Sequence, residues 1–372
     1  MIFFWGETPD GWGIPGLHGP WAGDELDGYV QSGVYLIRGQ GENMLIDTGN
    51  WTLPEYANGM GEFLVELLDK EKNDLKYILI THFHYDHTGN AQLLKDRYGA
   101  QVVAHPADKP IIEDPMIVTR PENITRFGMT PEQVVEDFNL KEGESLGLSD
   151  PAIIEKYWNF PVEVEVDVND GDILDVGGLK LEIIHLPGHC PGHIGVYNPH
   201  SGTLYSGDLL HYPTPLGPAP IGDAKGHWQS IQRCLALQPH LLLEGHGLSS
   251  YSQDSSRRRL LHMQAQQKDT HHRILYVLQR EGRPLTTQDL VPEVLPVKSD
   301  LDYAVSTGIG MRRCYAECCI QTHLLWHIEQ GNAERVREKE LVAFAHTAQG
   351  KEKALAEHEA RRARGWSWEE EA

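Results

Sequence analysis

Thr81-His82-Phe83-His84-Tyr85-Asp86-His87-Thr88-Gly89-Asn90 decides how the rest of this 372-residue chain is read. Three histidines and an aspartate at these offsets make a donor set for metal ions, and isolated core or surface histidines do not explain the joint spacing. Along an extended backbone the side chains alternate, so His82 and His84 face one way and two imidazoles can grip a single ion. Asp86 and His87 follow at a turn, where they can reach a neighbouring ion. Tyr85 faces away from the two imidazoles, which leaves packing and pocket contact equally open to it. The apolar run just before the motif, 75–81, reads as a buried strand, so the histidine loop hangs from the end of a rigid element.

Three further signals follow in order: Leu186-Pro187-Gly188-His189-Cys190-Pro191-Gly192-His193, then Tyr205-Ser206-Gly207-Asp208, then Glu244-Gly245-His246-Gly247. Each comes after a short apolar run (179–186, 203–206 and 241–243), and each carries glycines that let the backbone approach an ion without a Cβ in the way. His193 is expected to pack or hydrogen-bond beside the site rather than to ligate. His105, His185 and His240 read as ordinary histidines.

Upstream, 29–38 and 43–47 read as strands of a hairpin around Gly39-Gln40-Gly41, and 54–70 has helical periodicity. A helix from Asn90 to Tyr98 and a strand at 101–105 complete a βαβ-like rhythm, which implies α/β layers. Residues 106–168 are irregular, with prolines at 106, 110, 115, 121, 131, 151 and 161, and read as an inserted helical cap. The stretch from Gly11 to His18 is expected to be a loop packed on the core. His211-Tyr212-Pro213-Thr214-Pro215 either rims a pocket or is a rigid connection. Beyond about residue 250 the composition turns to helix formers and charges. This places a boundary between a catalytic domain, 1–250, and a helical region, 251–372, with a polar tail at 350–372. Arg257-Arg258-Arg259 reads as a solvated helix face, and Cys314, Cys318 and Cys319 as buried or idle thiols in a helix.

Lys and Arg number 32 against 54 Asp and Glu, a net charge of −22, so phosphate-rich partners meet an average repulsion and nucleic acid is disfavoured. No run reaches transmembrane length, and Met1-Ile2-Phe3-Phe4-Trp5 is too short and too little basic for a signal peptide. With five cysteines in no disulfide-like framework, the expectation is a cytoplasmic protein without a membrane partner. Homo-oligomerisation is left open.

On the strength of these motifs the chain resembles the metallo-β-lactamase superfamily over roughly residues 28–250. The resemblance implies an αββα sandwich. In that likeness His82, His84 and His189 would hold one metal, Asp86, His87 and His246 the other, and Asp208 would bridge them. Asp47, in Leu45-Ile46-Asp47-Thr48-Gly49, matches the family's early acidic position behind the histidine loop. The loops look closer to glyoxalase II-like and lactamase-β-like hydrolases than to antibiotic-destroying members. Residues 271–292 and a helix near 312–329 resemble the winged-helix-like appendage of the latter hydrolases, which helps close the cleft and in some relatives accompanies ribonuclease activity.

The electrostatics imply a mechanism. Two divalent cations held by neutral imidazoles and two carboxylates keep a net positive charge, which lowers the pKa of a bridging water to about 7. The metal-bound hydroxide would attack an acyl carbon, oriented by Asp86, while a metal polarises the carbonyl. Zinc suits these ligands, and iron or manganese is compatible with them. A small acyl substrate, a thioester or lactone, is the first expectation. A phosphodiesterase or endoribonuclease and an iron-dependent sulfur dioxygenase are the alternatives.

Overall fold

The computed structural model describes residues 6–14, 17–18, 30–50, 60–119, 131–139, 141, 155, 160–210, 222–246, 249–295, 316–338 and 341–364. Strands β1 (Gly6–Thr8), β2 (Gly11–Ile14), β5 (Val34–Arg38), β6 (Glu42–Ile46), β7 (Asp74–Leu79), β8 (Gln101–Ala104) and β9 (Val166–Asp167) form one sheet in the order β1-β2-β5-β6-β7-β8-β9. β3 (Leu17–His18) and β4 (Val30–Gln31) pair separately. The large sheet is antiparallel from β1 to β6 and parallel from β6 to β9. A second sheet runs β10 (Ile173–Val176), β11 (Leu179–His185), β12 (Ile194–Asn198), β13 (Thr203–Tyr205) and β14 (Leu241–Leu243), with only its last pair parallel.

Side-chain alternation along these strands divides the chain into layers. Tyr35, Ile37, Met44, Ile46, Leu79 and Val103 face Val176, Leu181, Ile183, Ile194 and Val196 of the second sheet. The opposite face of the first sheet, with Leu36, Leu45, Ile78, Ile80 and Val102, is covered by α1 (Met60–Leu68) and α3 (Ala91–Tyr98) through Met60, Leu64, Leu67 and Leu94. The outer face of the second sheet, with Ile184, Leu186, Leu204 and Leu242, meets α6 (Ala224–Leu237) and α7 (Gln253–Glu281) through Ile231, Cys234, Leu260 and Met263. Helix, sheet, sheet and helix therefore stack as an αββα sandwich.

The expected loop at 11–18 is corrected. Gly11–Ile14 is a buried strand between β1 and β5, and Leu17–His18 is a short strand as well. Glycine lowers strand propensity, yet a Cβ at Gly11 would lie 2.0 Å from the Leu36 carbonyl oxygen, so this register requires it. In the 106–168 stretch the structure shows α4 (Lys109–Glu113), a 3-10 turn at Pro115–Thr119 and α5 (Pro131–Asp137) before β9. α5 lies against the C-terminal region. Asp137 is buried, accepting from Gln321 Nε2 at 2.7 Å and pairing with Arg335 at 2.6 Å, while Asn139 exchanges two hydrogen bonds with the Val342 backbone.

That C-terminal region contains the second half of α7, α8 (Thr287–Val294), α9 (Cys318–Glu329), a hairpin of β15 (Ala333–Glu338) and β16 (Leu341–His346), and α10 (Ala348–Ala363). Its core holds Ile274, Leu278, Leu290, Leu324 and Phe344. Much of the expected polar tail is thus helix, opened by Thr347, whose hydroxyl accepts from Gly350 N. Among the described residues no helix is long and apolar enough to cross a membrane.

Candidate metal centre

The histidine loop leaves β7 at its carboxyl end and bends at once into a single helical turn, α2 (Tyr85–Thr88). His84 is extended (φ −63°, ψ 146°), whereas Asp86 and His87 lie within the turn, so the motif's two halves face different points. His189 follows β11, Asp208 follows β13 in a 3-10 turn (Gly207–Leu209), and His246 follows β14. Strand ends from both sheets therefore deliver donors to one rim of the sandwich.

All seven expected donors converge there, and all but His84, which is partly covered, are buried. His84 Nδ1 is 2.9 Å from His82 Nε2 and 3.0 Å from His189 Nε2. Asp208 Oδ2 lies 3.8 and 3.6 Å from the latter two nitrogens. In the second group His246 Nε2 is 2.9 Å from Asp86 Oδ2, and His87 Nε2 is 3.7 Å from the same oxygen. Asp208 faces both sets, with Oδ1 3.3 Å from His87 Nε2 and Oδ2 3.2 Å from His246 Nε2. Within each group the donor atoms lie within 4.8 Å of one another. Tetrahedral bonds of about 2.0–2.1 Å place ligand nitrogens roughly 3.3 Å apart, so the first group's spacing suits an ion after shifts of a few tenths of an ångström.

Hydrogen bonds behind the rings orient them. Asp47 accepts from Thr81 N and from the Thr81 hydroxyl, each at 2.8 Å. That hydroxyl, having donated to Asp47, accepts from His82 Nδ1 at 3.0 Å and leaves the Nε2 lone pair for the centre. His87 Nδ1 likewise donates to Asp47 at 2.8 Å. Asp47 itself takes φ 57°, a left-handed conformation that aspartate tolerates better than most residues. His193 donates from Nδ1 to the Leu186 carbonyl at 3.0 Å and accepts the Asp208 N–H on Nε2 at 2.9 Å, so it fixes the backbone of the bridging aspartate. Gly245 has a geometric reason: a Cβ there would sit 2.1 Å from Asp208 Oδ1.

Burial pushes the imidazolium forms of His82, His84 and His193 down, His84 to about 4 and His193 to about 3, so all three are neutral at pH 7. Burial also opposes charge on His87 and His246, but carboxylates outweigh it. Asp208, Asp47 and Asp86 hold His87 well above the usual histidine range, and Asp208 with Asp86 raises His246 to about 9. Asp86 stays at about 2 despite burial because His87 and His246 face it. Two buried carboxylates that attract positive charge, with imidazole nitrogens turned toward them, are the donor chemistry of a divalent cation site.

Tyr85 packs with its partly buried ring on the first-sheet core, which favours packing over substrate contact. His105 and His185, both half-buried, stack with ring centroids 4.3 Å apart, and His185 Nε2 donates to the Pro191 carbonyl at 2.9 Å, so neither joins the donor groups. His211 and Tyr212, expected at the pocket rim, lie outside the described residues. The Arg257-Arg258-Arg259 reading needs correction in one member. Arg257 and Arg258 are exposed, but Arg259 turns inward and forms a bidentate pair, 2.9 and 3.0 Å, with the fully buried Glu244. This joins α7 to the loop of His246. Burial raises Glu244 to about 7 against the pull of Arg259. Glu244, quoted in its motif without a role, and Asp108, not singled out at all, are the two contributors that sequence reasoning missed.

A family model described as the Metallo-beta-lactamase superfamily matches residues 27–265. The chain belongs to the metallo-beta-lactamase superfamily. Superfamily relatives include a Haemophilus influenzae protein named hydroxyacylglutathione hydrolase, 29% identical over 194 residues, 51% of this chain and 76% of that one. In fold, this superfamily member is similar to a metallo-beta-lactamase family protein of Thermus thermophilus (TM-score 0.62, 22% identity, 85% of this chain and 94% of that one). It is also similar to a beta-lactamase domain protein of Burkholderia ambifaria (TM-score 0.58, 16% identity, 85% and 88% coverage).

Proposed function

We propose that this superfamily member is a two-metal hydrolase acting on an ester-like bond of a small acyl substrate, a thioester first and a lactone second. The observation that carries the reading is the pair of donor groups, His82, His84 and His189 beside Asp86, His87 and His246, with Asp208 between them. When bound, two divalent cations, zinc foremost, would supply the charge that ionises water near neutral pH and polarises a carbonyl. Asp208 would face both ions. Asp86, placed beside His246, would accept a hydrogen bond from the attacking water and so aim it at the acyl carbon. Asp47 and His193 would hold the ring and backbone orientations on which this depends. The thioester preference draws on the Haemophilus influenzae relative, whose name specifies a glutathione thioester. The net charge of −22 favours a small substrate over a nucleic acid.

The test is metal content measured together with a hydrolysis screen over thioesters, lactones, β-lactams and phosphodiesters. We expect about two zinc ions per chain and thioester turnover that vanishes in strong chelator. Undiminished turnover in chelator would end the reading. One iron with oxygen uptake would replace it by a sulfur dioxygenase, and cleavage of single-stranded RNA alone by a ribonuclease.

A further inference from the structure

β7 lies between β6 and β8, the three strands are parallel, and each neighbour of β7 leads at its carboxyl end into a buried aspartate. Asp47, after β6, grips the histidine loop at Thr81 and His87. Asp108, four residues beyond β8 and 1% exposed, reaches the same loop from the other side. Its Oδ2 accepts the Phe83 N–H at 3.2 Å and the Cys190 thiol at 3.2 Å, and its Oδ1 accepts the Gly192 N–H at 2.6 Å. Phe83 stands between His82 and His84, and Cys190 directly follows His189. A single carboxylate therefore ties together the two loops that supply all three imidazoles of the first donor group, one loop from each sheet.

We infer that Asp108 is a positioning residue that sets the separation of the His82/His84 loop from the His189 loop, and through it the affinity of the first group for its ion. This rests on the metal-centre reading proposed above. His84 Nδ1 lies 3.0 Å from His189 Nε2 across the two loops and 2.9 Å from His82 Nε2 within its own, and bond lengths to an ion tolerate only a few tenths of an ångström. Deeper in the sandwich the loops are also joined by Ile194 N to the Thr81 carbonyl at 2.9 Å, but Asp108 makes its contacts at the residues adjoining the ligands. Among the described residues its hydrogen-bond partners are uncharged, and burial lifts its carboxyl to about 6 against their pull. A buried anion without a cationic partner is costly. An apolar side chain in its place would leave the Phe83 and Gly192 N–H groups without their acceptor, so the carboxylate makes a tie that packing alone cannot.

The experiment is a zinc titration of the metal-free full chain against a chromophoric chelator, with thermal unfolding alongside. Wild type should bind two ions. Asp108→Asn, which turns an amide N–H toward one of three donors, should weaken one ion by about tenfold or more and leave the other within about twofold. Gly192→Ala should reproduce this from the opposite side, because its Cβ would lie 2.5 Å from Asp108 Cγ and Oδ1. Two ions of wild-type affinity in both variants would overturn the inference, as would equal weakening of both ions, which marks general loosening. If Asp108→Asn fails to fold, Gly192→Ala decides alone. A wild type that takes up no zinc would instead retire the metal-centre reading.

Discussion

Among the described residues two clusters of histidines are buried, and they are built on opposite principles. At the rim of the sandwich five imidazoles are interleaved with Asp86 and Asp208, and their nitrogens converge. In the C-terminal region His271 of α7 and His323 and His327 of α9 are equally buried, but ring contacts organise them. His271 stacks on His327 with centroids 3.7 Å apart and on Trp326 at 4.1 Å, and its Nδ1 meets His323 Nδ1 at 3.2 Å. His327 Nε2 donates to the His271 carbonyl at 2.6 Å. The neighbouring carboxylate, Glu357, is taken up by His272 at 3.1 Å. Among the described residues, groups of three or more converging donors occur only at the rim. Burial and histidine number do not make a cation site. Nitrogens turned to a common point, with carboxylates among them, do.

Substitutions should separate the clusters. The largest effect is expected for His84→Ala, which should lose at least one ion and more than about a hundredfold in turnover while circular dichroism stays native. Full turnover in that variant would erase the distinction from one side. At the second cluster His271→Ala should leave ion content and activity intact but cost about 3 kcal/mol in urea unfolding, because it removes a stacked, buried ring. His271→Phe keeps the stack and loses one hydrogen bond, so it should cost only about 1 kcal/mol. Ion loss in His271→Phe would show that the two clusters are the same kind of site after all.

Acid sharpens the contrast further. Burial holds His323 and His327 at about 3 in the folded chain, against an ordinary 6.5. Between those values the unfolded chain binds more protons, so stability from these groups is full above about pH 6.5 and falls as the pH drops toward 3. From pH 6.5 to 5 each group should remove up to about 2 kcal/mol. Urea midpoints followed through tryptophan fluorescence, with His323→Phe showing a smaller acid response than wild type, would check this. An unchanged response would remove His323 as its source.

The rim cluster was legible in the sequence because its donors lie in short motifs at strand ends, with glycines where the backbone must come close. Asp47 was legible only through the resemblance, as a match to the family's early acidic position. Asp108 was not. It lies in a proline-punctuated stretch that reads as an insertion, and only the placement of β8 beside β7 brings it to Phe83. Glu244 and Arg259 were missed because the run of three arginines conceals which one turns inward. The buried Ser256, Leu260 and Met263 mark the inward face of α7, with Arg259 at its margin. β2 went unrecognised since Gly11 and Gly13 argue locally against a strand, and only the close approach of β5 gives them their reason. The hairpin of β15 and β16 sits in a charged stretch with little alternation in its first strand, so its pairing is visible only in three dimensions.

α7 is a rod of 29 residues, about 43 Å long. It presents Leu260 and Met263 to the layer beneath the His246 loop, then Ile274, Leu275 and Leu278 to the C-terminal core. Fraying at either end would therefore undermine the packing at the other, and a single calorimetric transition for both cores is the expected outcome. A chain cut at residue 265, where the family-model match ends, would break this beam near its middle. It would lose the ballast that holds Arg259 against Glu244 and expose a sticky stump.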